Sequence, residues 1–496
     1  MFTFDEIPFD WLEPGTFLEV KPNYSNTGLL PYPAKAHIIG QKLAAGTLAP
    51  GQVVEIVRPD EAIALFGVGS IGAEQVAAFR TINKTSPLTV QALADADGAV
   101  KATGTLTFAG AVSVATVLRF MIAGKPIRFT AAATDTVAQM ATKLAAAITA
   151  ETSLTVTAAA AAAVVTVTAK HGGEVGNDID LRVDVEAQPL PPGLTIAIVD
   201  MANGAGNPDL TDALDVIEND WLTQIEHPWN DATNMAAFAE DLARRYQAMS
   251  KLDAHGFVGK RGTFGELGTW GELTNSPFLT CCGLNRPKSS SWVLSAVAAG
   301  LATFHLTNDP ARQLRSLALT GFEGPDPVDQ FTETEQELLL RKGVSSFDSL
   351  PDGTTTVSRM VTTYKVSNLG VSDRAWLDIM VPATMSRIRY DWAAYVSLQY
   401  PRAKLVVDEE TAAITERSDD SDDDDNSVVT PRRMHATWAA RSRLYAKKVW
   451  IQQVERTIKK SQFAISEDDD NRLESRQHVK IAGNLMVLAG SLEFEV

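Results

Sequence analysis

Between about Asp95 and Pro192 the chain changes character: long stretches of Ala, Thr, Val and Gly replace the mixed composition on either side, and aromatic residues become few. A step of that kind marks a block inserted between two parts of another domain, and Ala94-Asp95 and Pro191-Pro192-Gly193 are suitable exit and re-entry points. The block has its own internal pattern. Gly104 to Phe108 and Arg119 to Ala123 read as strands, and Thr136 to Ala150 reads as a helix with Val137, Met140, Leu144 and Ile148 on one face. From Ala163 to Lys170, Val165 and Val167 alternate with Thr166 and Thr168, the period of a half-buried strand. These segments predict a small β-rich domain with one packed helix and a core of its own.

The flanking residues call for a different architecture. Ala36 to Gly40 and Val53 to Val57 are apolar and β-branched, which predicts strands; Pro59-Asp60 opens a helix through Phe66, and Ala73 to Ile82 forms another. After Met201 strand and helix alternate. Trp221 to Glu226 is extended, and Asp231 caps a helix that runs to Met249 with Met235, Phe238, Leu242 and Met249 as its apolar stripe. Gly256 to Val258 and Phe278 to Cys282 read as short buried strands, and Trp292 to Phe304 as a helix, an alternation that implies an α/β layered domain. A chain of 496 residues exceeds what one core normally serves. The expected fold is therefore α+β multidomain: an N-terminal arm at 1–35, a layered α/β core from 36–94 and 196–485, the β-rich insert at 95–195 and a C-terminal arm strand at 486–496. Thr16, Phe17, Leu18, Glu19 and Val20 form the extended part of the first arm, after Pro14-Gly15. In the second, Leu492, Glu493, Phe494, Glu495 and Val496 alternate apolar and charged side chains, the mark of a strand with one buried face.

Charge narrows the function classes. A formal net charge of -17 argues against a general binder of nucleic acid or anionic membrane, either of which needs a basic surface to replace counterions. The N-terminus carries Asp5, Glu6 and Asp10 where an export signal would be basic, and the run from Trp292 to Leu306 is too short to span a bilayer, so a cytoplasmic product is expected. Cys281 and Cys282 are adjacent within an apolar run and poorly placed to pair with each other.

Catalytic signals are sparse. The seven histidines include no H-E-x-x-H, the cysteines form no C-x-x-C, and no G-x-S-x-G turn occurs, so no catalytic, cofactor-binding or metal residue is assigned. Gly67-Val-Gly-Ser-Ile-Gly72 is a literal G-x-G-x-x-G, which leaves a nucleotide-binding α/β enzyme as the alternative function; its preceding residues read as helix, however, which favours a turn between helices. The run Asp419, Asp420 and Asp422 to Asp425 reads as a solvated loop. Thr430-Pro431 supplies an N-cap and a first-turn proline for a long basic helix. From 432 to 460 nine Lys and Arg face one acid, Glu455, an excess of eight positive charges that suits either a designated acidic partner or pairing with the protein's own acidic loops.

The ordered set Glu13-Pro-Gly-Thr-Phe-Leu-Glu-Val20, Ile38 to Gly46, Ala64 to Ser70, Thr362-Thr-Tyr364, Asp378, Arg387 to Tyr390, Tyr400-Pro-Arg-Ala-Lys404 and Val428-Val-Thr-Pro431, with the terminal strand, resembles the Mu-like family of phage contractile tail sheath proteins. That resemblance implies a structural protein of the virion tail, assembled in the host cytoplasm, with no cofactor. It implies six-subunit rings stacked into a helical polymer around a tail tube, with the baseplate and tail terminator as further partners and no nucleic acid or membrane. The terminal arms would add strands to neighbouring subunits, Arg441, Arg443, Lys447 and Lys448 would face the tube, and the insert would be an outward decoration dispensable for polymerisation.

Overall fold

The computed structural model describes residues 15–16, 28–350, 352–408 and 428–493. Among these, the chain forms two compact units, one of residues 33–387 with 481–493 and one of residues 28–32 with 388–480. The boundary falls inside the helix Met380–Gln399, within the segment 196–485 that the sequence reading treats as one domain.

The larger unit is organised by a nine-stranded sheet. Its first three strands are β1 (Ala36–Gln41), β2 (Val53–Ile56) and β3 (Leu88–Leu93). The insert then contributes β4 (Lys101–Gly110), β5 (Thr116–Ile122), β6 (Lys125–Ala131), β7 (Val156–Ala161), β8 (Val164–Gly172), β9 (Leu181–Val183) and β10 (Leu194–Ala202). The chain returns to the large sheet with β11 (Gln224–Glu226), β12 (His255–Arg261), β13 (Leu279–Leu284), β14 (Ala318–Glu323), β15 (Val344–Ser349) and β16 (Thr354–Arg359). The order is β14-β16-β15-β13-β12-β11-β1-β3-β2. From β15 to β3 neighbouring strands are parallel, while β2 and the β16-β14 pair are antiparallel edges. β1 and β13 are buried along their whole length, as expected of parallel strands covered on both faces by helices. The helix Ser291–Asn308 is buried on nearly every side, which explains its lack of a polar face. It lies so close to β12 that a Cβ at Gly259 would sit 2.0 Å from the Ser291 carbonyl oxygen, so only glycine fits there. Among the described residues no helix is long and apolar enough to cross a membrane.

The insert packs a four-stranded sheet, β10-β4-β8-β7, and a three-stranded one, β6-β5-β9, around the helix Val137–Ala150. Thr136 caps that helix in a reciprocal box with Gln139, and Met140, Leu144 and Ile148 are buried, as the spacing predicts. The expectation of a separate core is not met, since buried apolar residues of the insert and of the large sheet form one continuous cluster.

In the smaller unit, helices Pro431–Lys447 and Val454–Lys460 accompany two two-stranded sheets, β17 (Lys404–Leu405) with β18 (Val428–Val429) and β19 (Gln462–Ile465) with β20 (Leu473–Arg476). Thr430 caps the first of these helices through the Arg433 amide, with Pro431 in its first turn, as the sequence predicts. Trp392 meets Trp438 edge-on at 5.1 Å, and Tyr445 stacks on Trp450 at 6.0 Å.

Candidate assembly elements

β1 lies mid-sheet: the chain moves from it to β3 on one side and later to β11 on the other. The reversal between β1 and β11 is where an open α/β sheet normally has its ligand crevice, at the carboxyl ends of the strands. Here the insert bonds to the β1 side of it. Gln41, the last residue of β1, donates through Nε2 to Asp95 Oδ1 and to the Gly172 carbonyl of β8, both at 2.8 Å. The Ile71 amide, at the start of the helix Ile71–Ile82, donates to His171 Nε2 at 3.2 Å. Nε2 must therefore be the acceptor, so Nδ1 carries the proton and donates to Asp95 Oδ1 at 3.0 Å. Burial opposes ionisation of Asp95, but His171 and the Gly172 amide hold its carboxyl below the ordinary range.

The same contacts decide the role of Gly67 to Gly72. Gly67 ends the helix Pro59–Phe66, and Ser70 caps the next helix through the Ala73 amide, so the segment joins two helices. Gly69 has φ +71°, and a Cβ there would lie 2.2 Å from Lys170 Nζ and 2.3 Å from the Leu154 carbonyl oxygen. The helix N-terminus that would hold a pyrophosphate bonds to the insert instead.

A second junction is ionic. Asp180, fully buried, accepts from Arg182 Nη2 and from Arg261 Nη2 of β12, both at 2.9 Å. Arg182 also donates from Nη1 to Asp326 at 2.6 Å and from Nη2 to the Arg286 carbonyl at 2.7 Å. The insert is thus keyed to the sheet by hydrogen-bonded charges that would be costly to leave unpaired.

The residues assigned to the tube divide into two kinds. Arg441, 2% exposed, is buried: Nη2 donates to Asp391 Oδ1 at 2.6 Å and Nε to Oδ2 at 3.1 Å. Asp391 also accepts from the Tyr445 hydroxyl at 2.7 Å and from the Leu30 amide at 2.9 Å. Arg441 Cζ lies 4.3 Å from the centre of the Tyr395 ring, and Nη1 donates to the Gly28 carbonyl at 3.2 Å. The expectation that Arg441 is a surface contact is corrected accordingly: helical spacing turns it inward, one turn before Tyr445. Arg443, Lys447 and Lys448 are exposed, and Arg443 meets Glu455 at 3.4 Å. The acidic run at 419 to 425 lies outside the described residues.

Of the arm residues, Thr16 is exposed and in no regular element, while Phe17, Leu18, Glu19 and Val20 lie outside the described residues. Residues 482–493 form no helix or strand. Leu485, Val487, Leu488 and Leu492 are 76%, 77%, 87% and 99% exposed, an unusual load of apolar surface for one short stretch. Glu493 is likewise exposed, and Phe494, Glu495 and Val496 lie outside the described residues.

A family model described as the phage tail sheath protein central domain matches residues 203–363, the stretch that supplies β11 to β16. Over 407 residues the chain is 30% identical to the Mu-like prophage FluMu tail sheath protein of Haemophilus influenzae, a match covering 82% of this chain and 83% of that protein. The chain belongs to the phage tail sheath protein family. The fold agrees: a chain of the anti-feeding prophage baseplate is similar with a TM-score of 0.50 at 12% identity, covering 97% of this chain and 99% of that one. This sheath protein is a structural subunit of a contractile tail and not an enzyme. The nucleotide-binding alternative finds support neither in the Gly67 to Gly72 turn nor in the relatives.

Proposed function

We propose that the subunits stack as six-membered rings around a tail tube, bounded by a baseplate and a tail terminator, and that a shift to a more stable packing drives the tube through the host envelope. The subunit assembles in the host cytoplasm and remains in the virion tail. The arms within 1–35 and 486–496 link subunits by adding strands to sheets of their neighbours, which satisfies open edge N–H and C=O groups while alternate side chains fill pockets. The observation that carries this reading is the exposed apolar series in 482–493, which has no ladder partner among the described residues. The two-stranded sheet β19-β20 is a suitable acceptor, since a sheet of two strands gains most from a third. Arg443, Lys447 and Lys448 are the tube-facing charges.

Deleting residues 491–496 tests the arm. Electron microscopy of the wild type should show tubes, and the truncated protein should remain folded, with near-normal melting, but form none. Normal contractile tubes from the truncated protein would refute strand exchange at this end.

A further inference from the structure

The C-terminal stretch 482–493 has no strand partner among the described residues, but one face of it rests on its own subunit. Along 482–487 burial alternates: Ala482, Asn484 and Met486 are half-buried, and Gly483, Leu485 and Val487 are exposed. A period of two in an extended chain means that one face touches the subunit and the other faces outward. The anchor is Met486, which packs against the core cluster and whose sulfur receives Gln313 Nε2. Its carbonyl accepts from Arg315 Nη1 at 3.3 Å. Gln313 and Arg315 lie in the connection between the helix Ser291–Asn308 and the edge strand β14.

We propose that Gln313 and Arg315 form a docking site for the subunit's own C-terminal arm, which holds the arm in the free subunit and must release it for assembly. This rests on the strand-exchange reading above and adds its regulation. The contact is built to be temporary. Half-buried side chains, the Gln313 donor to the Met486 sulfur and a hydrogen bond from an exposed arginine hold the arm among the described residues, whereas an added strand would gain a row of backbone hydrogen bonds and bury Leu485 and Val487. The docked arm also presents those two side chains outward, where a neighbour can engage them before Met486 lets go. A free subunit therefore keeps its arm ordered and slow to react, and the encounter with a growing ring supplies the interaction that displaces it. The thioether suits this use, since a flexible unbranched side chain fits an approximate pocket without requiring one exact geometry.

The test uses the full-length chain. Met486→Ala and Gln313→Ala should each shorten the lag of tube formation several-fold, read by light scattering and microscopy, with unchanged melting. Gln313→Cys combined with Met486→Cys, joined by a short thiol-bridging reagent, should slow assembly at least tenfold, while the unbridged double variant assembles freely. Cys281 and Cys282 are buried and should not compete for the reagent. Failure of the bridge to form in the monomer, an unchanged or longer lag in both alanine variants, or normal assembly of the bridged protein would overturn the proposal. The 491–496 deletion separates the two ideas: if it abolishes tubes while the bridged protein assembles normally, the docking site fails and strand exchange stands.

Discussion

The buried carboxylate of Asp180 in the insert accepts from Arg261 Nη2 at the end of β12, 2.9 Å away, and is shared with Arg182. Removing it takes a carboxylate from two guanidinium groups, both at most about a tenth exposed, and leaves Arg182 its Asp326 partner and Arg261 the Ile179 carbonyl. Asp180→Ala should therefore cost about 3–5 kcal/mol, the usual consequence of breaking a buried pair on one side. Asp180→Asn, which keeps an acceptor, should cost less. Denaturant titration of both variants checks the order.

Because the insert is hydrogen-bonded to the carboxyl ends of β1 and β12, replacing 95–195 with a Gly/Ser linker should lower the melting temperature of the remaining sheet. Gln41, the Ile71 amide and Arg261 would lose their partners at once. Calorimetry decides the matter: a truncated core that melts like the whole protein would show that the junctions contribute nothing.

Stability should depend on pH from two opposing sources. Burial pushes His37, His227 and His255 down to about 3 from an ordinary 6.5, so between those values the unfolded chain binds more protons and stability falls as pH drops. Burial pushes Glu226 up to about 8 from 4.5, against hydrogen bonds from Ser295 and Gln75. In that window the folded protein holds the extra proton, so this carboxyl removes stability as pH rises. Three groups outweigh one on the acid side. The denaturation midpoint should peak near neutrality, fall steeply below about pH 6 at up to about 1.4 kcal/mol per pH unit for each histidine, and fall gently toward pH 8. Glu226→Gln should flatten the alkaline limb and steepen the acid limb between about pH 4.5 and 6.5, where the carboxyl opposes the histidines.

Burial pushes the Cys281 thiol up to about 12 and Cys282 well above its ordinary value. Both should stay protonated and silent to a thiol reagent at pH 8 in the folded protein, with both reacting after denaturation. Rapid reaction of the native protein would show that β13 opens.

Local signals were legible in the residues, and long-range pairings were not. Asp231 and Thr430 cap the helices predicted for them, and the Gly67 to Gly72 segment is the helix-to-helix turn that its preceding residues imply. Such features are decided within a few positions of the chain. The partner of Arg441 is 50 residues away, and the partners of Asp180 lie on both sides of a domain junction. No periodicity encodes these contacts. The Ser, Thr and Asp content of β15 and β16 hides them as strands, and β14 pairs with β16, later in sequence, rather than with β15. The insert's contacts with the sheet are hidden for a related reason, since composition marks where a block begins but not what it packs against.

The basic helix Pro431–Lys447 should respond to mutation in two separable ways. Arg441→Ala leaves Asp391 buried with only the Tyr445 hydroxyl and the Leu30 amide, so it should cost about 3–5 kcal/mol and loosen the hold on residues 28–32. Lys447→Glu with Lys448→Glu changes exposed side chains at the end of the same helix and should alter stability by no more than about 0.5 kcal/mol. If these lysines face the tube, the double variant should lose co-sedimentation with purified tubes while forming tube-free polymers normally. Added salt should reproduce the loss with the wild type, because exposed charges are screened beyond about 10 Å at 0.1 M. Retention of tube binding by the lysine variant at low salt would assign contact to another face. A melting loss as large as that of Arg441→Ala would instead mean that these lysines serve the subunit's own packing, leaving Arg443 as the exposed cation of this group still to test.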